Sequence, residues 1–566
     1  MRINIIGNLR KNTGVSQDIH ILHGLISHVF GQETQIRHIP SYYPQCPEAE
    51  INFFIEVINP CLFFYASKNI WIPNPEWTYK TWQPYAEMVD EIWVKTHEAE
   101  KLFREWTDKV RYIGWTSIDK VQPEKKDYNK AIVPVGKNIW RNPKPIIQAY
   151  MRIQQTIPTL YQALPELHIV HMPEAVPVPP LPETVKGKIV LHSEVMKEED
   201  YDRLLQECGL CICMSAAEGF GHAVNEAMST GCNLILSPID AFREIVKHCW
   251  WVSNSKVTPH PQCLGNLEDI EIASLVESLQ LYCSSKYLER KRNTKTSREQ
   301  YEERHQSFIK RMTEILSEMK ETETYSIKDR LPKEEDMPSV SVITITKDRR
   351  AFIPLAKYCF LAQGYPEEKL EWVIVDDGLD QIKDLVSDLP NVKYVLSDSP
   401  LTIGAKRNLG VEKASHDILV FLDDDDVYPN NSIVTRVAYM SAEPRKQCVF
   451  STTIPCYDVH ETKSFMNVPP ITLPMSERVS EATLCFTRAF WEARKFPDQQ
   501  IAEGGAFIRG REQMCRELSP QDLIVSLVHK KNTSSRKAPA GMESNGCHYG
   551  FADELFTLVS EIGSSI

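Results

Sequence analysis

Four consecutive carboxylates, Asp423 to Asp426, follow directly on the apolar stretch Ile418–Leu422. That stretch reads as a buried strand, and a strand buried on both faces cannot carry four acids into the interior unpartnered. The acids therefore belong at its carboxyl end, the edge at which open α/β sheets bind ligands. Four like charges repel one another, and a divalent cation such as Mn²⁺ or Mg²⁺ relieves the repulsion by binding one or two carboxylates together with substrate phosphates. A solvated acidic turn is the plainer alternative, and the flanking pattern described below argues against it.

A second pair of acids lies in the first half of the chain. Glu218 and Glu226 are separated by seven residues within Ser215–Gly231, a segment that follows an apolar run and closes on a C-cap glycine, Gly231. Gly219 and Gly221 flank Phe220 and allow a close backbone approach to a ligand, and the helix that follows offers free N–H groups to phosphate. Upstream, the run Ala131–Gly136 ends in a glycine turn followed by Lys137 and Arg141, two cations able to hold a diphosphate.

These groups need sheets to position them. The opening Arg2–Gly7, then Gln35–Ile39, Ile51–Val57, Glu91–Lys95 and Val110–Ile113, read as strands, with a helix from Val15 carrying Ile19, Leu22, Leu25 and Ile26. Between them Ile70–Trp77 reads as a rigid, aromatic-rich loop, able to stack on a sugar face or simply packed on the surface. A second βα series runs through Ala131–Gly136, Leu167–His171, Lys188–His192 and Leu210–Ser215. Ile309, Met312, Leu316 and Met319 form a helical stripe within Arg298–Lys320, and Glu321–Pro338 loses periodicity and reads as a linker. The second half then repeats the alternation: Ser339–Thr346, Glu371–Val375 ending at Asp376-Asp377-Gly378, Val392–Leu396, and Ile418–Leu422. Two strands that end in paired acids at one edge of a parallel sheet outline a nucleotide site.

At 566 residues the chain has room for roughly three or four domains. With a net charge of −12, nothing suggests a general nucleic-acid binder. Fifteen cysteines scattered along the chain read as reduced, mostly buried thiols of a cytoplasmic protein. No run approaches the roughly 18 apolar residues of a membrane helix, so any membrane association is expected to be peripheral.

The segment Glu218-Gly219-Phe220-Gly221 to Glu226-Ala227-Met228 resembles the Glu-x7-Glu motif of family 4 glycosyltransferases, which have the two-domain GT-B fold. The resemblance covers roughly residues 1–320. It implies that Glu218 lies near the transferred sugar, that Glu226 holds the nucleotide ribose, and that Lys137 and Arg141 hold the diphosphate, with retention of configuration. Asn142 stands where the family's spacing expects a Lys.

The second half resembles family 2 glycosyltransferases, of GT-A fold, over roughly 338–535. The ordered motifs are Thr346-Lys347-Asp348-Arg349, Val375-Asp376-Asp377-Gly378, Gly404-Ala405-Lys406-Arg407-Asn408 and Phe421-Leu422-Asp423-Asp424-Asp425-Asp426. The resemblance implies that Thr346, Asp376, Asp377, Lys406, Arg407, Asp423 and Asp424 form the donor site. It further implies that Asp423, Asp425 and His529 hold a divalent cation, and that inversion requires a base. Strand-like alternation turns Asp424 away from the metal, so it is expected to matter less than Asp425. The family places its base Asp where this chain has Gly504, which leaves Glu503 and then Asp522 as candidates. The basic, hydroxyl-rich stretch from His529 to Arg536 resembles a loop that closes over phosphates.

The expected architecture is α/β: two Rossmann-like domains over 1–128 and 129–320, a linker over 321–337, and a GT-A domain over 338–566. The expected function is a bifunctional glycosyltransferase using nucleotide-sugar donors, a UDP-sugar for the second module, and a glycan or glycoconjugate acceptor. Three alternatives stay open: one active module beside a degenerate binding module, a nucleotidyltransferase, or a non-catalytic carbohydrate-binding protein.

Overall fold

A computed structural model describes the chain except for residues 11–12, 122, 179, 533–536, 544–548, 550 and 566, and the side chain of 565. It divides into two compact units. The first comprises Met1–Tyr43, Pro47–Asn59 and Tyr65–Tyr325, and the second Pro44–Cys46, Pro60–Phe64 and Ser326–Ile566.

The first unit holds two six-stranded parallel sheets. One is built from β1 (Arg2–Ile6), β2 (Gln35–Ile39), β3 (Ala49–Ile55), β4 (Ala66–Ile72), β5 (Glu91–Val94) and β6 (Val110–Tyr112), in the order β2-β1-β3-β4-β5-β6. The other is built from β7 (Asp127–Gly136), β8 (Glu166–His171), β9 (Ile189–His192), β10 (Cys208–Cys213), β11 (Asn233–Leu236) and β12 (Trp250–Trp251), in the order β12-β11-β10-β7-β8-β9. The central strands β3 and β10 are buried at every residue, as strands of a sheet covered on both faces must be. Cys211 and Cys213 accordingly sit inside the core. Polar residues at matching register are satisfied sideways: Asn4 donates to Asn52 at 2.9 Å and Asn52 to Asn69 at 3.3 Å, across three paired strands.

Two elements differ from the sequence reading. Ile70–Trp77 reads as an aromatic loop, yet Ile70–Ile72 lies in mid-sheet with Trp71 fully buried, and Pro75–Trp77 forms a short 3₁₀ turn in which Pro75 and Glu76 are buried. The apolar run is too short, and too close to Pro73, to announce a strand by periodicity. The long helix begins at Tyr287 rather than Arg298 and ends at Glu318, because its early turns bury Thr294, Ser297 and Gln300 in place of apolar residues.

A short antiparallel pair, β13 (Asn254–Pro259) and β14 (Asn266–Ile270), completes the strands of the first unit. The second unit carries β15 (Val340–Thr346), β16 (Leu370–Asp376), β17 (Val392–Leu396), β18 (Ile418–Phe421), β19 (Asp426–Val427), β20 (Cys448–Phe450), β21 (Ile454–Asp458), β22 (Lys463–Asn467), β23 (Cys485–Thr487), β24 (Cys515–Glu517) and β25 (Val525–Val528). They form a seven-stranded sheet, β17-β16-β15-β18-β23-β20-β24, and a four-stranded sheet, β19-β25-β21-β22. β15 to β18 are parallel, and β23 joins β18 antiparallel. β16 and β18 flank β15 and run the same way, so Asp376-Asp377 and the acid run emerge at one edge.

Candidate active sites

In the first unit the carboxyl ends of the strands open into a cleft of about 1210 Å³. It is lined by Asp18, Asn74, Glu76 and Lys95, from segments that connect the strands of the first sheet, and by Lys137, Arg141, Glu218, His222 and Glu226, from segments that connect those of the second. The loop after β7 is tied to the end of β10 through its backbone, Asn142 N–H to Met214 O and Ala216 N–H to Trp140 O. This brings Arg141 onto Glu218. Its Nε donates to Oε1 at 2.6 Å and its Nη2 to Oε2 at 3.1 Å, while Ser215 Oγ and Asn138 Nδ2 also donate to Oε1. Glu226 is buried and accepts from Gln17 Nε2 at 2.7 Å; burial raises its pKa. Both glutamates expected from the sequence thus line the cleft, each with a protein partner. Lys137 also lines it and is exposed.

The glycines of the segment have separate reasons. Gly219 packs so closely that a Cβ there would stand 2.7 Å from Asn74 Oδ1 and from Glu76 Oε2. Gly221 has φ +90° at the start of the helix His222–Ser229, a left-handed conformation that other residues rarely adopt.

The cleft floor contains groups that sequence reasoning missed. Asp18 pairs with Lys95 and accepts from His222 Nε2 at 2.8 Å, and the other ring nitrogen of His222 meets Ser117 Oγ at 2.8 Å. Burial opposes ionisation of Asp18, but Lys95 and His222 overcome it and lower its pKa. Lys95 also donates to Asn74, which donates to Glu56. Glu76 is buried with one oxygen unpartnered among the described residues, and burial beside Glu218 pushes it up to about 8. No local signal marks these residues, because their partners come from distant strands.

In the second unit the edge of the large sheet is a network of charges. Lys406 donates to Asp377 at 2.9 Å. Arg407 donates to Glu503 at 2.8 Å and to Asp423 at 3.2 Å. Arg349, the last residue of the motif that follows β15, donates to Asp424 at 2.8 Å and to Asp425 at 2.6 Å. His529 Nε2 meets Asp425 Oδ2 at 3.1 Å, and its ring packs on Phe352. Burial raises Asp424 to about 6; for Asp425 burial is outweighed by His529 and Arg349, which hold it near 2.

Asp424 does not point away, as alternation predicted. The chain leaves β18 at Phe421, so period-two alternation no longer applies, and Asp424 is buried against Arg349. Asp376 is occupied by the segment after β16 and by β17, accepting from Gly378 N–H, Ile382 N–H and Tyr394 OH. Thr346 is buried at the end of β15. Asp522 is exposed and has no hydrogen bond or ion pair among the described residues, so the fold does not bring it to the network. Of the basic stretch from His529, residues 533–536 lie outside the described residues.

The expected metal ligands are brought together in part. Asp425 and His529 are adjacent, Asp424 Oδ2 is buried without a hydrogen-bond partner among the described residues, and Asp423 faces Arg407. Among the described residues no group of three or more His, Cys, Asp or Glu is arranged to hold a metal ion. A carboxylate–imidazole pair beside an unpartnered carboxylate oxygen suits a hard divalent cation in chemistry. No helix among the described residues is long and apolar enough to cross a membrane.

Residues 341–499 match the family model for Glycosyl transferase family 2, and residues 183–252 match that for Glycosyl transferases group 1. An uncharacterized glycosyltransferase of Haemophilus influenzae is 26% identical over 110 residues, 19% of this chain; the chain spans 43% of that relative's length. Among solved structures, TarM is similar at 10% identity, over 47% of this chain and 53% of its own, with a TM-score of 0.33. The Pyrobaculum calidifontis mannosyltransferase PcManGT, solved with GDP-Man and Mn²⁺, is similar at 19% identity, over 35% of this chain and 60% of its own, with a TM-score of 0.28.

Proposed function

We propose that this chain, a glycosyltransferase with a group 1 segment in its first unit and a family 2 segment in its second, transfers sugars from nucleotide-activated donors at two separate sites. The observation that carries the reading is the charge network at the edge of the second sheet. Arg349, Lys406 and Arg407 meet five carboxylates there, at the carboxyl end of parallel strands, the edge at which open α/β sheets bind ligands.

In the second unit, Thr346, Asp377, Lys406, Arg407 and Asp423 surround the donor, a UDP-sugar in this reading. Asp425 and His529 would hold a divalent cation, which when bound would neutralise charge on the departing diphosphate. The chain's own residues orient the donor and keep water from its anomeric carbon, and reaction there inverts configuration. In the first unit, Glu218 stands by the transferred sugar, Glu226 by the ribose, and Lys137 and Arg141 by the diphosphate, with retention. Two sites on one chain suit successive additions to one glycan or glycoconjugate acceptor.

One observation favours a second reading, in which the first unit binds without turning over. Glu218 and Glu226 both have protein partners already, Arg141 and Gln17. Release of nucleoside diphosphate from a panel of nucleotide sugars, with and without Mn²⁺, tests both readings. Wild type, Glu226→Ala and Asp425→Asn would be compared. No release from any donor would sink the proposal, and release abolished by Asp425→Asn alone would select the second reading.

A further inference from the structure

Gly504 is the second residue of the helix Glu503–Ile508, and the room its side chain would need is already taken. A Cβ there would stand 2.8 Å from Glu481 Cγ and 2.9 Å from Glu481 Oε1. The Gly504 N–H donates to that same oxygen at 3.2 Å. Glu481 arrives from a different element, the short turn Glu481–Thr483 that leads into β23, and β23 is paired with β18, the strand preceding the acid run. The glycine thus admits a carboxylate from across the site in place of one from its own helix.

Three carboxylates gather around Arg407. Glu503 and Asp423 are bonded to it. Glu481 has no ion pair among the described residues and is partly exposed, whereas Glu503 is buried. Burial and the charge of Glu503 push Glu481 up to about 7, with Arg407 pulling the other way. A carboxylate with that proton affinity, open on one side and anchored by one amide, is suited to take up a proton near neutral pH.

We infer that Glu481 is the acceptor base of the second unit, a role that rests on the proposed sugar transfer there. As an acceptor hydroxyl oxygen forms its bond to the donor's anomeric carbon, the bond from that carbon to the diphosphate oxygen breaks. Its electron pair leaves with the nucleoside diphosphate. The hydroxyl proton passes to Glu481 and then to water. Glu503 is a positioning residue, holding Arg407 against the donor side.

The test uses the full chain, with second-unit turnover defined as the nucleoside diphosphate release that Asp425→Asn removes. Glu481→Gln is expected to lower it by about 100-fold or more. UDP affinity by titration calorimetry should stay within about threefold of wild type. The residual turnover should also no longer rise between about pH 6 and 8. A double variant, Glu481→Ala with Gly504→Asp, returns a carboxylate to the same space from the helix side. It is expected to regain about tenfold over Glu481→Ala alone, a rescue that a merely structural role would not produce. Wild-type turnover in Glu481→Gln, or turnover and UDP affinity lost together, would overturn the assignment while leaving the proposed transfer intact. Absence of release by wild type with every donor would instead overturn the underlying function.

Discussion

Arg141 and Glu218 form a two-point ion pair in which the Glu218 side chain is only 5% exposed and that of Arg141 16%. Such a pair matters less for its net energy than for what remains when one member is removed. Glu218→Ala leaves a largely covered guanidinium whose remaining acceptor among the described residues is the Pro134 carbonyl. The variant is expected to lose about 3 kcal/mol of stability, and first-unit turnover with it. Adding Arg141→Ala should lose less than the sum of the two single changes. Denaturant unfolding of both single variants and the double gives the coupling; a value under about 0.5 kcal/mol would mean the pair is incidental.

Gln17 and the ribose of a bound nucleotide would compete for Glu226, since Gln17 already donates to it at 2.7 Å. Removing the competitor should favour the ligand. Gln17→Ala is expected to tighten nucleotide binding to the first unit by about fivefold, the equivalent of one hydrogen bond of roughly 1 kcal/mol. Glu226→Ala should weaken it. Calorimetry on wild type and both variants checks this, with the binding that Glu226→Ala removes assigned to the first unit, and weaker binding by Gln17→Ala would show that the glutamine itself serves the ligand.

Asp425 faces both Arg349 and His529, so its charge is shared between a fixed cation and the proposed metal position. Asp425→Asn keeps the shape and removes the charge. It should abolish any enhancement of UDP binding by Mn²⁺, because cation and phosphates each supply charge the other needs. Asp424→Asn is expected to weaken UDP binding as well, through loss of its bond to Arg349. Calorimetry of UDP with and without Mn²⁺, on wild type and both variants, decides the matter. Equal affinity throughout would reduce the acid run to a structural turn.

Glu76 makes the stability of the first unit depend on pH in a definite direction. Its pKa in the folded protein is raised to about 8 from the ordinary 4.5. The folded protein holds a proton that the unfolded chain releases, so the contribution is fully present below about pH 4.5 and is lost as pH rises toward 8. Glu76→Gln mimics the protonated form at every pH. Relative to wild type it is expected to gain on the order of 3 kcal/mol between pH 4 and 8. Parallel unfolding curves for the two proteins across that range would contradict the buried, protonated carboxyl.

The sequence by itself determined which sheet edges carry the candidate sites. The apolar run into Asp423, the run into Asp376-Asp377 and the Glu218–Glu226 spacing are local patterns, and local patterns are what backbone periodicity and turn chemistry read. The element boundaries of β2 and β17 follow for the same reason. Charge pairing was decided only by the tertiary structure. Gln17 reaches Glu226 from 209 positions away, Arg349 reaches Asp425 from 76, and Gly504 reaches Glu481 from 23. A carboxylate's pKa and role depend on burial and on neighbours within a few ångströms. Those neighbours are set by which strands lie side by side, as β18 lies between β15 and β23. The residues themselves were legible in order along the chain; which acid keeps a cation, and which is left to take a proton, is a property of the folded edge.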